Sequence, residues 1–101
     1  MSNYVVNFSP ESVDQLVGLY SYLAAKANPV IANNYVNAVI DYCETIKMFP
    51  MLGVARDDIR KGLRITHYKS RTIIAYAVIE SVVSIIGVFY GGQDYESKLV
   101  E

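Results

Sequence analysis

A chain of 101 residues has room for one hydrophobic core and not for two, so a single domain over residues 1–101 is expected. Its hydrophobic fraction of 52% is high for that size and includes nine tyrosines but no tryptophan, a composition suited to surfaces that are apolar on one side and wet on the other. One cysteine excludes an internal disulfide, and one histidine far from it in sequence argues against a metal centre; no cofactor is implied.

The net charge of −1 hides a segregation. Residues 56–71 carry six cations, Arg56, Arg60, Lys61, Arg64, Lys69 and Arg71, against two anions, while the segments on either side are acidic. A local basic patch of this kind meets phosphate or an acidic partner, or is simply solvated surface. The N-terminus lacks the basic and apolar regions of a signal peptide, and with the lone cysteine this suggests the cytoplasm.

In chain order, Tyr4, Val6 and Phe8 alternate with Val5 and Asn7, predicting a short first strand. Ser9-Pro10-Glu11 then reads as a helix start, with Ser as N-cap and Pro where its missing N–H costs nothing. Val13, Leu16, Val17, Tyr20, Leu23 and Ala24 form an apolar stripe along that helix. Asn28-Pro29 repeats the start signal, and the second stripe runs through Ala32, Tyr35, Val36, Val39, Tyr42, Cys43 and Ile46 to a stop near Phe49-Pro50. So short a connection predicts a helical hairpin. Pro50, Gly53 and Gly62 among charges make 50–62 a surface loop.

From Leu63 to Tyr90 β-branched and aromatic residues dominate, and two-residue turns at Lys69-Ser70 and Glu80-Ser81 would fold the stretch into a three-stranded antiparallel meander. Alternation into strands, with a Glu-Ser pair mid-run, also explains the nearly charge-free Thr72–Gly92 better than a membrane span, so no membrane partner is expected. The fold class is therefore α+β: an N-terminal strand, a helical hairpin and a three-stranded antiparallel meander, with helices packed on one face of the sheet.

With both turns two residues long, Tyr68 opposes Arg71 and Arg71 opposes Tyr90. Leu63, Ile65, His67, Ile74, Tyr76, Val78, Val83, Ile85 and Phe89 would then face the helices. Arg64, Thr66, Tyr68, Arg71, Ile73, Ala75, Ala77, Ser84, Ile86, Val88 and Tyr90 would line the other face. That second face is open to a partner or is closed by the chain's own tail, Tyr95 to Val100.

Familiar catalytic constellations are missing. Gly91-Gly92 follows a strand but does not open a helix with phosphate-loop spacing, and Asp57-Asp58 sits between arginines as loop ion pairs or a helix cap. Cys43 lies in an apolar stripe and His67 in a strand, both read as structural. Metal-free phosphodiester cleavage would have Arg64, Tyr68, Arg71, Tyr90 and Lys69 to draw on, without an evident general base.

FSPES near the start, the FPMLG turn, RDDIRKGLR leading into a strand, RTIIAYAV and the terminal VFYGGQDYE, in this order and spacing, resemble the ParE family of the RelE/ParE toxin superfamily from Tyr4 to about Leu99. The resemblance implies the toxin of a bacterial type II toxin-antitoxin system, growth arrest through inhibition of DNA gyrase without catalysis, and neutralisation by a cognate ParD-like antitoxin in a hetero-oligomer. The alternative is the ribosome-dependent mRNA endoribonuclease of the RelE type. In that branch the sheet face away from the helices carries several Arg and Lys residues and a basic tail ends in a functional tyrosine. Arg71 matches a strand arginine of that branch in position, whereas the tail here is acidic and polar and leaves Tyr95 without cationic company. On this reading no residue is catalytic. Candidates for contact with target or antitoxin are Arg56, Arg60, Lys61, Arg64, Tyr68, Lys69, Arg71, Ile73, Ile86, Val88, Tyr90, Gln93 and Tyr95.

Overall fold

The computed structural model describes residues 3–100. Strand β1 (Val5–Phe8) leads into helices α1 (Pro10–Lys26) and α2 (Pro29–Thr45), the latter continued by one 3₁₀ turn over Ile46–Met48. Then come β2 (Val54–Ala55), β3 (Leu63–Tyr68), β4 (Thr72–Ile79), β5 (Val82–Tyr90) and a last short helix, α3 (Tyr95–Leu99). The five strands form one sheet in the order β1-β5-β4-β3-β2, with β1 parallel to β5 and the remaining pairs antiparallel. Helices α1 and α2 pack on each other, and α1 lies along β5.

Both hairpin helices begin as their sequences require. Ser9 Oγ accepts from the Ser12 N–H at 3.0 Å and Asn28 Oδ1 from the Ile31 N–H at 2.9 Å, each with a proline following the cap. The core between hairpin and sheet gathers Leu16, Val39, Cys43, Ile46, Ile74, Tyr76, Val83, Ile85 and Val88. Burial pushes the Cys43 thiol up to about 12, in keeping with a packing role. Part of the α1 stripe points elsewhere: Leu19 is buried, while Val13, Val17 and Tyr20 stay exposed on the outer side of the hairpin.

Two departures from the expected register re-sort the sheet's faces. The β3–β4 connection is three residues long, Lys69-Ser70-Arg71, so Tyr68 pairs with Thr72 and not with Arg71. Lys69 takes a left-handed φ of 55° to make it. One residue of slip turns the whole of β3 over. Leu63 and Ile65, expected against the helices, lie on the far face, while Arg64, Thr66 and Tyr68 turn toward the hairpin, where Tyr42 Oη meets Thr66 Oγ1 at 3.0 Å. His67 falls on the far face with its partner Ile73 and is exposed.

The second departure is a bulge. Tyr76 pairs with Ile85 but Ala75 pairs with Gly87, leaving Ile86 as an extra residue in β5. Beyond it Val88 and Tyr90 face the helices and Phe89 the far side, the reverse of the expectation, and Thr72 rather than Arg71 opposes Tyr90. The start of α1 holds this bulge in place. Ser9 Oγ donates to the Ile86 carbonyl at 3.0 Å, the Ser9 N–H donates to the Ile85 carbonyl at 3.0 Å, and Gln15 Oε1 accepts from the Val88 N–H at 2.7 Å. Backbone groups released from the ladder are thereby paired.

The far face is not open along its length. Leu63, Ile65, Ala75, Phe89 and Leu99 form a second buried cluster, with Ile59, Ile73, Ile86 and Tyr95 packed against it. Helix α3 roofs it, so of the two alternatives for this face it is the chain's own tail that covers the strip of Ile73 and Ile86. Among the described residues no helix is long and apolar enough to cross a membrane.

Candidate functional site

The basic segment does not form one patch; its residues are distributed among four places, two of which hold structure together. Arg56 is the anchor of the tail. Its guanidinium donates to both carboxylate oxygens of Asp58, at 3.0 and 2.9 Å, to Tyr95 Oη at 3.0 Å and to Glu96 Oε2 at 3.0 Å. Hydrogen bonding to Arg56 holds the Asp58 carboxyl below its ordinary range and raises the guanidinium above its own. Asp57 meanwhile accepts from the Gly62 N–H at 2.7 Å, so both aspartates work in the loop. Tyr95 thus has the cationic neighbour that its local sequence did not reveal.

Arg64 is a second anchor. Its Nη1 donates to the Gly53 carbonyl at 2.5 Å and more weakly to that of Met51 at 3.4 Å. Beside it the fully buried Tyr76 hydroxyl donates to the Pro50 carbonyl at 2.8 Å and accepts from the Gly53 N–H at 2.7 Å. Gly53 is required there, because a Cβ would lie 2.9 Å from the Ile65 carbonyl oxygen and the Tyr76 ring. The pinned loop displays Met48, Phe49, Met51, Leu52 and Val54 to solvent.

Arg60 shares a cleft under α3 with Lys98, where its Nε is buried without a partner, and Lys61 is exposed on the loop. The fourth place is the end of the sheet around the β3–β4 turn. Lys69, Arg71, Tyr68, Val88, Tyr90 and Gln93 do come together here, on the hairpin side of the sheet. The Arg71 guanidinium stands 5.6 Å from the centre of the Tyr90 ring and Lys69 Nζ 5.7 Å from that of Tyr68. Tyr35 links the two rings, at 5.7 Å from Tyr68 and 5.8 Å from Tyr90, and its hydroxyl lies 2.6 Å from Thr72 Oγ1.

A further surface went unnoticed in the sequence because its residues read as core. Phe8, Val13, Leu16, Val17, Tyr20, Val36 and Ile40 line a wholly apolar groove of about 380 Å³ on the outer side of the hairpin. The signal available was the width of the α1 stripe: Val13, Val17 and Tyr20 add a second edge to what one packed face needs.

The structure is thus a sheet backed by a helical hairpin with cations and tyrosines gathered at its end, and among the described residues there is no group of three or more potential metal ligands. Its architecture matches that of a chain from the chromosomal ParDE TA system of P. aeruginosa, with a TM-score of 0.77 over 87% of this chain and 96% of that one; at 12% identity this likeness is one of fold. No curated protein matches the sequence. The family model described as "ParE toxin of type II toxin-antitoxin system, parDE" matches residues 6–95, and the chain belongs to that family.

Proposed function

We propose that this ParE-family chain arrests growth in the cytoplasm by binding DNA gyrase, without catalysis, and that a cognate ParD-like antitoxin neutralises it in a hetero-oligomer. The match over residues 6–95 carries the reading. The geometry supports its non-catalytic side. Where the RNA-cutting branch places cations on the sheet face away from the helices, this chain places Leu63, Ile65, Ile73 and Phe89 under a helix of its own. Of the two tyrosines a nuclease could use, Tyr95 packs with Phe89 on the far face, away from Arg71, while Tyr90 stays beside Arg71 on the hairpin side.

The antitoxin's seat is the apolar groove between α1 and α2, which suits the apolar face of an amphipathic helix. The target-facing groups are the free cations and tyrosines at the β3–β4 turn. Arg64 also anchors the 50–53 loop, so reversing its charge would unseat that loop before any contact was tested.

The test is gyrase supercoiling with ATP and titrated chain, run beside a translation reaction probed for cut messenger RNA. Lost supercoiling or accumulated cleaved DNA with intact RNA is the expected outcome; cyclic-phosphate RNA ends with normal supercoiling would overturn it. Val17→Asp, at a position 61% exposed, should leave the fold intact and weaken antitoxin binding by at least tenfold, on the order of 1.4 kcal/mol or more.

A further inference from the structure

Between α1 and the end of β5 lies a second cavity, of about 410 Å³, which unlike the apolar groove mixes polar with apolar lining. Its floor is Leu19 and Val88, its aromatic walls are Tyr22 and Tyr90, and among the described residues no carboxylate lines it. Helix α1 presents Gly18 at this point, with open space where a Cβ would stand, so the cavity exists partly because a side chain is missing from mid-helix. Tyr22 and Tyr90 have ring centres 6.0 Å apart, and Tyr22 is half exposed.

The polar groups around this cavity are donors. Gln15 Oε1 is occupied by the Val88 N–H and Gln93 Oε1 by the Tyr90 N–H, which leaves each side-chain NH₂ as the free end of its amide. The Arg71 guanidinium sits over Tyr90 and Lys26 Nζ lies 5.9 Å from the centre of Tyr22. Lys69 continues the row over Tyr68. Among the described residues none of these three cations has a carboxylate partner. The ligand such a site takes must be rich in acceptors, negatively charged and flat on one side.

We infer that this cavity binds a nucleoside phosphate, free or as one unit of a single strand, with the base against Tyr22 and Tyr90 and the phosphate at Arg71. An aromatic platform beside a row of cations is how sequence-tolerant single-strand binding is built, since every base has a π face and every unit a phosphate. Three cations, Lys26, Arg71 and Lys69, each beside a different tyrosine ring, offer more than one phosphate contact and favour the strand as the source. The inference goes beyond the gyrase reading and stands without it, because its test contains no gyrase.

The purified chain is titrated into a fluorescein-labelled oligothymidylate of about twelve nucleotides and followed by anisotropy, with thymidine monophosphate, the unlabelled single strand, a DNA duplex and inorganic phosphate as competitors. Saturable binding that weakens with salt is expected, displaced by the nucleotide better than by phosphate. Arg71→Gln should weaken it roughly tenfold and lower the salt slope by about one. Gly18→Leu fills the cavity with a better helix former, so it should abolish binding while the melting temperature holds or rises. Displacement by mononucleotide at high concentration marks the free nucleotide as sufficient, and displacement only by strands marks the strand as the ligand; both support the site. Absence of binding, affinities that neither variant changes, or displacement by phosphate at the same concentration as by nucleotide or strand would overturn it.

Discussion

The two faces of the sheet are both apolar in sequence but are closed by different means. On the hairpin side two 17-residue helices cover the sheet, and the polar atoms trapped there are paired: Tyr35 with Thr72, Tyr42 with Thr66, Tyr76 with Pro50 and Gly53. On the far side the cover is five residues of α3, capped by Asp94, which accepts from both the N–H and the hydroxyl of Ser97. A helix that short has no stability of its own. It stays because Leu99 is buried and because Arg56 holds Tyr95 and Glu96. One face is thus covered by the long helices of the main core, while the cover of the other is held by one leucine and one arginine.

The sharpest way to break that contrast is to remove a large side chain from each face and ask whether the losses differ in kind. Tyr76→Ala on the hairpin side leaves a cavity, two unpaired backbone groups and a released 50–53 loop. It should cost about 3–5 kcal/mol, read as a lowered midpoint of a single cooperative denaturant transition. Leu99→Ala on the far side should cost about 2–3 kcal/mol at most, at the low end for a buried leucine because its surroundings are free to collapse. Its signature should be local: hydrogen exchange speeds up in α3 and at Ile65 and Phe89 while α1 and α2 stay protected. Equal losses spread over the whole chain would mean that both faces belong to one cooperative unit.

The same contrast explains what was legible from sequence. Helix starts and the three-stranded meander were, because Ser9-Pro10 and Asn28-Pro29 state their caps locally and the strands alternate, whereas the parallel pairing of β1 with β5, the short β2 inside the expected 50–62 loop and α3 were not. The faces of the sheet were not, for two reasons. The β3–β4 loop places its left-handed residue at Lys69, with no Gly or Asn to announce a three-residue turn. The β5 bulge lies in Ser84-Ile85-Ile86-Gly87-Val88-Phe89, where both faces are apolar and alternation carries no register; Gly87 was the one cue. Hence Ile73 and Ile86 were placed on the correct face, and Arg64, Tyr68, Val88 and Tyr90 on the wrong one. The bond from Arg56 to Tyr95 spans 39 residues and left no trace in either local sequence.

The smallest effect is the most specific to the far face. Arg56→Gln removes the exposed ion pairs to Asp58 and Glu96, and such pairs contribute little to global stability. The melting temperature should therefore barely move while exchange in α3 accelerates. Acid should do the same to the unaltered chain. Asp58 and Asp94 are both held below the ordinary aspartate value of 3.8, the first by hydrogen bonds from Arg56 and the second by those from Ser97. A carboxyl depressed in the folded state adds stability that is fully present above its unfolded value and is lost as pH falls through the folded one. Lowering the pH from neutral to below 3.8 should accordingly loosen α3 before the hairpin, seen as loss of the α3 amide resonances while those of α1 and α2 persist. In Arg56→Gln the Asp58 share of that acid response should vanish and the Asp94 share remain. If the hairpin loosens at the same pH as α3, the far face is not separately held.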